Sequence, residues 1–208
     1  MMEVKNNIKE VPLAHYLEEY KKINPDDASA RCKAEFDGKA FKINFLGDTY
    51  TLTWPEFSIS CENSNAFALT DLKGQTFLLR IILEMENHLF LGKYKTFREM
   101  PWGEMYIEPF TGRCLMRSAF TFGTDVAKFR KACETLGATP VDHADAAFGF
   151  EVLDGYFIQI LIWEGDDEFS PSAQILYSDN FETSFAAEDR VVIAEMLITK
   201  IKATMKGV

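Results

Sequence analysis

The sequence predicts an α+β fold, mainly antiparallel sheet with a C-terminal three-stranded meander and helices packed against it, on three observations. Several short runs alternate apolar and polar residues, as half-buried strands do. Two pairs of these runs are separated by Gly47-Asp48 and Asp154-Gly155, both tight-hairpin signals. The two strand groups are separated by segments whose apolar residues recur three and four apart, the spacing of amphipathic helices.

The 208 residues suit one domain, expected to span 1–208 with a helical N-terminal arm (1–33) followed by sheet and helices (34–208). Hydrophobic residues make up 47%, enough to bury a sizeable core. Many of the 18 Phe stand at alternating positions, which points to sheet faces covered by helices.

Leu13, Tyr16, Leu17 and Tyr20 predict a first helix starting near Pro12. Asn24-Pro25-Asp26-Asp27 reads as cap, first-turn proline and first-turn acids of a second, through Ala30. Asp37-Gly38 is a turn. Phe41, Ile43 and Phe45, then Tyr50, Leu52 and Trp54, form a hairpin with one apolar face; Pro55 ends it, and Phe57 and Ile59 extend the sheet beyond.

Asp71 is the expected cap of the most apolar helix, running to about Leu89. Leu78, Ile82, Met85 and Leu89 form one buried stripe, with Leu79, Leu83 and Phe90 beside it. Residues 91–106 read as loop with short extended pieces, including an exposed aromatic turn at Met100-Pro101-Trp102-Gly103. A helical pattern resumes at Phe110, with Arg113 and Arg117 on one face. After Gly123, Thr124 is the expected cap of a helix carrying Val126, Phe129, Cys133 and Leu136 inward and ended by Gly137. Three strands follow, over 147–152, 156–163 and 173–177. A last helix begins near Ala187, with Ile193, Met196, Leu197 and Ile201 on its apolar face.

The net charge of -10, from 32 acidic and 22 basic residues, argues against a nucleic-acid binder and against attraction to anionic membranes. No apolar run approaches the ~18 residues that span a bilayer. The polar start Met1–Asn7 lacks the apolar core of a signal peptide, so the expected location is the cytoplasm. Cys32, Cys61, Cys114 and Cys133 form no C-x-x-C pair and are expected to be free thiols.

The densest unusual chemistry is Trp163-Glu164-Gly165-Asp166-Asp167-Glu168-Phe169, where an apolar strand runs into four carboxylates. Glu164, Asp166 and Glu168 alternate as the first ligands of a calcium loop do, but Phe169 and Ile175 stand where that loop needs Gly and Glu. Three readings remain: a solvated turn paired with Arg113 or Arg117, a ligand or partner site, and paired carboxylates working with Mg²⁺. Asp166 is expected to bond backbone N–H groups, and Phe169 to tuck back toward the core. His15, His88 and His143 make no zinc pattern. There is no serine-nucleophile elbow, phosphate loop or dinucleotide fingerprint, so no cofactor is implied.

Leu161-Ile162-Trp163-Glu164-Gly165-Asp166-Asp167-Glu168-Phe169, with Ser170-Pro171-Ser172-Ala173 and Ile175-Leu176-Tyr177-Ser178-Asp179, resembles the W-x-G-D-x-E-F segment of an uncharacterised prokaryotic family, the domain-of-unknown-function family 3786. Phe110-x-x-Arg113, Phe122-Gly123, Leu136-Gly137 and the hairpin around Tyr50 are similar to it more loosely. The resemblance implies no reaction. It implies redox or one-carbon proteins as surroundings, because some relatives carry a cysteine-rich iron–sulfur segment. This chain lacks such a cluster, and its Tyr177-Ser178-Asp179 departs from the family's usual F-D.

The expected function is a cytoplasmic small-ligand-binding or protein-interaction domain. Its site would lie beside the acidic turn 164–169 and use Trp163, Glu164, Asp166, Glu168 and Phe169 with Arg113 opposite. The alternative is a Mg²⁺-dependent enzyme using paired carboxylates of that turn.

Overall fold

The computed structural model describes residues 10–63, 69 and 71–208; the polar start Met1–Asn7 lies outside them. The chain is mixed α and β, its strands pair antiparallel, and it divides into two compact units, 1–87 and 88–208.

In the first unit, α1 (Glu10–Lys22) and α2 (Pro25–Cys32) precede strands β1 (Glu35–Phe36), β2 (Ala40–Phe45), β3 (Asp48–Thr53) and β4 (Ile59–Cys61). The Asn24 side chain caps α2 by accepting from Asp26 N, and the helix continues past Ala30 to Cys32. Asp37 Oδ1 accepts from the backbone N–H of Lys39 and Ala40, which builds the turn into β2. The β2–β3 hairpin turns on Leu46 and Gly47, both at positive φ. Its register sets Phe41 against Leu52 and Ile43 against Tyr50, all buried on one face. Tyr20 and Trp54 bind α1 to β3 reciprocally: the Tyr20 hydroxyl donates to Thr53 O (3.2 Å), and Trp54 Nε1 donates to Tyr20 O (3.0 Å).

Helix α3 (Leu72–Glu84) is capped as expected, with Asp71 Oδ1 accepting from Gly74 N at 2.8 Å. Leu78, Ile82 and Met85 are buried. Leu89 is not: the helix stops at Glu84, and Leu89 is 73% exposed. The cause is Arg31, whose Nη2 and Nη1 donate to the carbonyls of Ile82 and Met85, both at 2.6 Å. With those acceptors taken and Met85 extended, no further turn forms.

In the second unit, β5 (Tyr94–Thr96) leads into a helical turn, Phe97–Glu99. A continuous helix follows: α4 (Ile107–Phe110), a π-helical stretch (Thr111–Met116) and α5 (Arg117–Phe122). It begins three residues before the expected Phe110. Helix α6 (Val126–Thr135) is capped by Asp125, which accepts from Lys128 N; Thr124, the expected cap, donates its hydroxyl to Phe120 O instead. Gly137 (φ 72°) ends α6 with Gly137 N to Glu134 O and Ala138 N to Cys133 O, the paired bonds of a Schellman motif.

Strand β6 (Thr139–Pro140) pairs with β7 (Ala146–Leu153). Strands β7, β8 (Tyr156–Trp163) and β9 (Ser172–Ser178) form the expected meander, and β5 lies against β9. Helices α7 (Phe181–Ser184) and α8 (Ala187–Met205) close the chain. The core here gathers Phe residues from helices as well as strands. Phe97 and Phe110 stack at 4.2 Å, and Phe181 meets Tyr177 and Tyr156 edge-on at 5.1 and 5.4 Å. No helix among the described residues is long and apolar enough to cross a membrane.

Candidate functional site

The last paired residues of the meander, Trp163 and Ser172, are joined by the loop 164–171. Asp166 builds its tip. One carboxylate oxygen, Oδ1, accepts from Phe169 N (2.7 Å) and Glu168 N (2.9 Å), and Asp166 N donates to Phe169 O (2.9 Å). These N–H groups, Phe169's first, hold the Asp166 carboxyl below the ordinary aspartate range. The entry to the loop is fixed by Asp145, whose Oδ2 accepts from Glu164 N at 2.8 Å.

The base of the loop is a close approach of three small backbone sites. A Cβ on Gly123 would stand 2.6 Å from Pro171 Cβ, and a Cβ on Gly165 would stand 2.6 Å from Pro171 Cδ. Pro171 therefore seats between two glycines, one ending α5 and one in the loop. Gly165 N also reaches Gly123 O at 3.4 Å. The loop is thus held at its tip by a carboxylate and at its base by packing.

What the held loop presents is outward. Phe169 is 70% exposed, so it does not tuck into the core: the bonds from its own N–H to Asp166 and from Asp166 N to its carbonyl turn its side chain to solvent. Trp163 is 36% exposed at the strand end. Glu164, Asp166, Asp167 and Glu168 are all exposed. Among the described residues, the carboxylates of Glu164, Asp167 and Glu168 make no hydrogen bond or ion pair, which leaves three unneutralised charges on one loop. Two further exposed apolar residues, Met116 and Phe120, stand four apart where the π-helical stretch passes into α5, which ends beside Gly123.

Arg113 is engaged elsewhere. Its Nε and Nη2 fork onto Glu195 of α8 (3.0 and 2.7 Å), and its Nη1 meets Glu188 at 2.9 Å. The Glu195 bonds, with Glu188 adding to them, raise its pKa above the usual arginine value. Arg117 Nη2 donates to Thr199 Oγ1, also on α8. Trp163, Glu164, Asp166, Glu168 and Phe169 therefore share one loop, while the charge of Arg113 is met by two glutamates of α8. Among the described residues, no three His, Cys, Asp or Glu side chains are arranged to hold a metal ion.

Several contributors escaped sequence reasoning. Gly123, Gly165 and Pro171 carry no chemistry of their own, and Asp145 lies nineteen residues from its partner. Asp179 and Asn180 anchor the segment leading into β5: Asp179 Oδ1 accepts from Leu91 N, and Asn180 Nδ2 donates to the carbonyls of His88 and Gly155. The four-residue spacing of Met116 and Phe120 was the one readable trace of the exposed helix face.

A family model described as "Domain of unknown function (DUF3786)" matches residues 24–200. No curated protein and no solved structure matches the chain.

Proposed function

We propose that this chain, which belongs to the DUF3786 family, is a protein-interaction domain whose contact surface is the loop 163–169, and that it works in the cytoplasm. The observation that carries the reading is a division of labour among the four acids. Asp166 is consumed in holding the loop, while Glu164, Asp167 and Glu168 keep their charge unpaired beside the exposed Trp163 and Phe169. Aromatic anchors ringed by unpaired charge fit a partner segment that is basic and apolar: the rings supply desolvated contact, and the acids supply steering and register. A small molecule is bound in a concavity that covers most of it. Acids pointing into solvent around a 70% exposed Phe suit the broader face of a protein partner instead. Arg113 serves this surface indirectly, by fastening α8 to the helix that ends at Gly123.

The test is titration with Lys/Arg-rich amphipathic peptides, read by tryptophan emission, in wild type, Trp163→Phe, Phe169→Ser and Asp167→Asn/Glu168→Gln. The expected result is saturable, salt-sensitive binding whose emission change is lost in Trp163→Phe, with affinity lost in Phe169→Ser and lowered in the charge variant. Binding indifferent to all three variants refutes the reading. A saturable rise in melting temperature with Mg²⁺ or Ca²⁺, abolished by Asp166→Asn, replaces it with metal-dependent chemistry at the paired carboxylates.

A further inference from the structure

We propose that the guanidinium of Arg190, at the N-terminal turn of α8, is the receptor for a small oxyanion: a phosphate or carboxylate group, free or on a larger ligand. This site is separate from the loop surface.

Arg190 is 1% exposed, beside the buried Val191, Val192, Ile193 and Ala194. Its Nε donates to Ala186 O at 3.4 Å, its Nη2 donates to Pro101 O, and its plane lies 5.5 Å from the Phe97 ring centroid. Nη1, buried, has no hydrogen-bond partner among the described residues. No carboxylate among them forms an ion pair with this guanidinium, whereas Arg113 on the neighbouring helix has two. Burial accordingly pushes the pKa of Arg190 down; Asp189 and Glu182 act on it only from a distance, and Glu182 is already bonded to Lys95. A buried cation with spare donors and no counter-charge is costly unless an anion completes it.

The location supplies a second reason. The bond from Nε to Ala186 O lays the side chain back against the first turn of a nineteen-residue helix. The N-cap of that helix, Ala186, makes no side-chain cap bond, so the positive end of the helix dipole has no capping oxygen. Glu188, the first acid of that turn, is neutralised by Arg113. Two positive elements thus meet without a negative one between them, the arrangement that binds oxyanions. Access is short, because Ala186 and Pro101, which provide the two carbonyls, are themselves exposed. Trp102, next to Pro101 and 68% exposed, is placed to report the event. With a net charge of -10, the molecule repels anions in general, so saturable uptake of one requires a local site.

The test uses the full chain at constant ionic strength, exchanging chloride for inorganic phosphate in one titration and for acetate in another. Melting temperature and tryptophan emission are read. The expected result is a saturable rise in melting temperature and a saturable emission change that Trp102→Phe removes. Both responses disappear in Arg190→Met, weaken by about tenfold or more in Arg190→Lys, and persist in Arg117→Gln. Saturation by phosphate alone, acetate alone or both identifies the group and supports the site. Absence of saturation in wild type overturns the proposal whatever the variants do, and so does a response that survives unchanged in Arg190→Met or Arg190→Lys. If Arg190→Met does not fold, Arg190→Lys decides. If neither folds, a wild-type saturation that Trp102→Phe silences supports the proposal, and one that it leaves intact overturns it.

Discussion

Pro171 occupies the space that a side chain on Gly123 would need: a Cβ there would stand 2.6 Å from Pro171 Cβ and 2.8 Å from Ala119 O. Gly123→Ala is therefore destabilising although alanine is the better helix former, by about 1–3 kcal/mol, the range for forcing a methyl into filled space. Denaturant titration measures it. Pro171→Ala in the same chain should recover part of the loss, and strict additivity of the two changes would show that the residues do not meet.

Asp166→Asn lowers the melting temperature modestly at neutral pH, because an amide oxygen accepts the Phe169 and Glu168 N–H groups less strongly than a carboxylate does. The pH dependence has a definite sign. The folded-state pKa is depressed, so the carboxylate's contribution is complete above the unfolded-state value of about 3.9 and is lost as pH falls through the folded value. The gap in melting temperature between wild type and Asp166→Asn should be widest near neutrality and close in acid. A gap constant with pH would mean that the carboxylate charge plays no part.

Ile82→Ala and Leu89→Ala, similar truncations seven residues apart, should differ sharply. Ile82 is fully buried, and its truncation costs about 2–5 kcal/mol. Leu89 is 73% exposed, and its truncation should change stability by less than ~0.5 kcal/mol. Equal costs would restore the helix through Leu89 that the apolar pattern predicts.

The four cysteines are free, and three are buried. Under native conditions a thiol reagent should modify Cys61 first, while Cys32, Cys114 and Cys133 wait for unfolding. Burial raises the Cys133 thiol well above its ordinary pKa, which removes the reactive thiolate as well as access. Mass spectrometry of briefly labelled protein resolves the order. Early labelling of Cys133 would contradict its placement inside α6.

The contrast between Asp166 and Leu89 shows what was legible in the sequence. Asp166 bonds N–H groups two and three residues away, so a local pattern is enough to foresee it. The same holds for the Asp71 cap, the Asp154-Gly155 hairpin and strand Tyr156–Trp163, all of which are fixed by neighbours in the chain. The end of α3 is set by Arg31, more than fifty residues earlier, and no window of local periodicity contains that contact. Arg113 is the same case: its partners lie 75 and 82 residues on. The outward turn of Phe169 was illegible for a different reason. An aromatic after an acidic turn fits either direction, and the choice falls to which backbone groups Asp166 captures.

The π-helical stretch Thr111–Met116 gives the protein a dependence on chain length that no single substitution would reveal. A π segment holds more residues per turn than its α neighbours, so removing one residue, Gly112 for instance, lets the hydrogen-bond ladder close as plain α-helix. The helix would survive, but everything after the deletion would rotate by about 100° relative to what precedes it. Arg113 and Arg117 would leave Glu195 and Thr199, and Met116 and Phe120 would turn to a different side. A family member one residue shorter here would keep the architecture and present a different face, so the count of residues between Phe110 and Gly123 carries information that their identities do not.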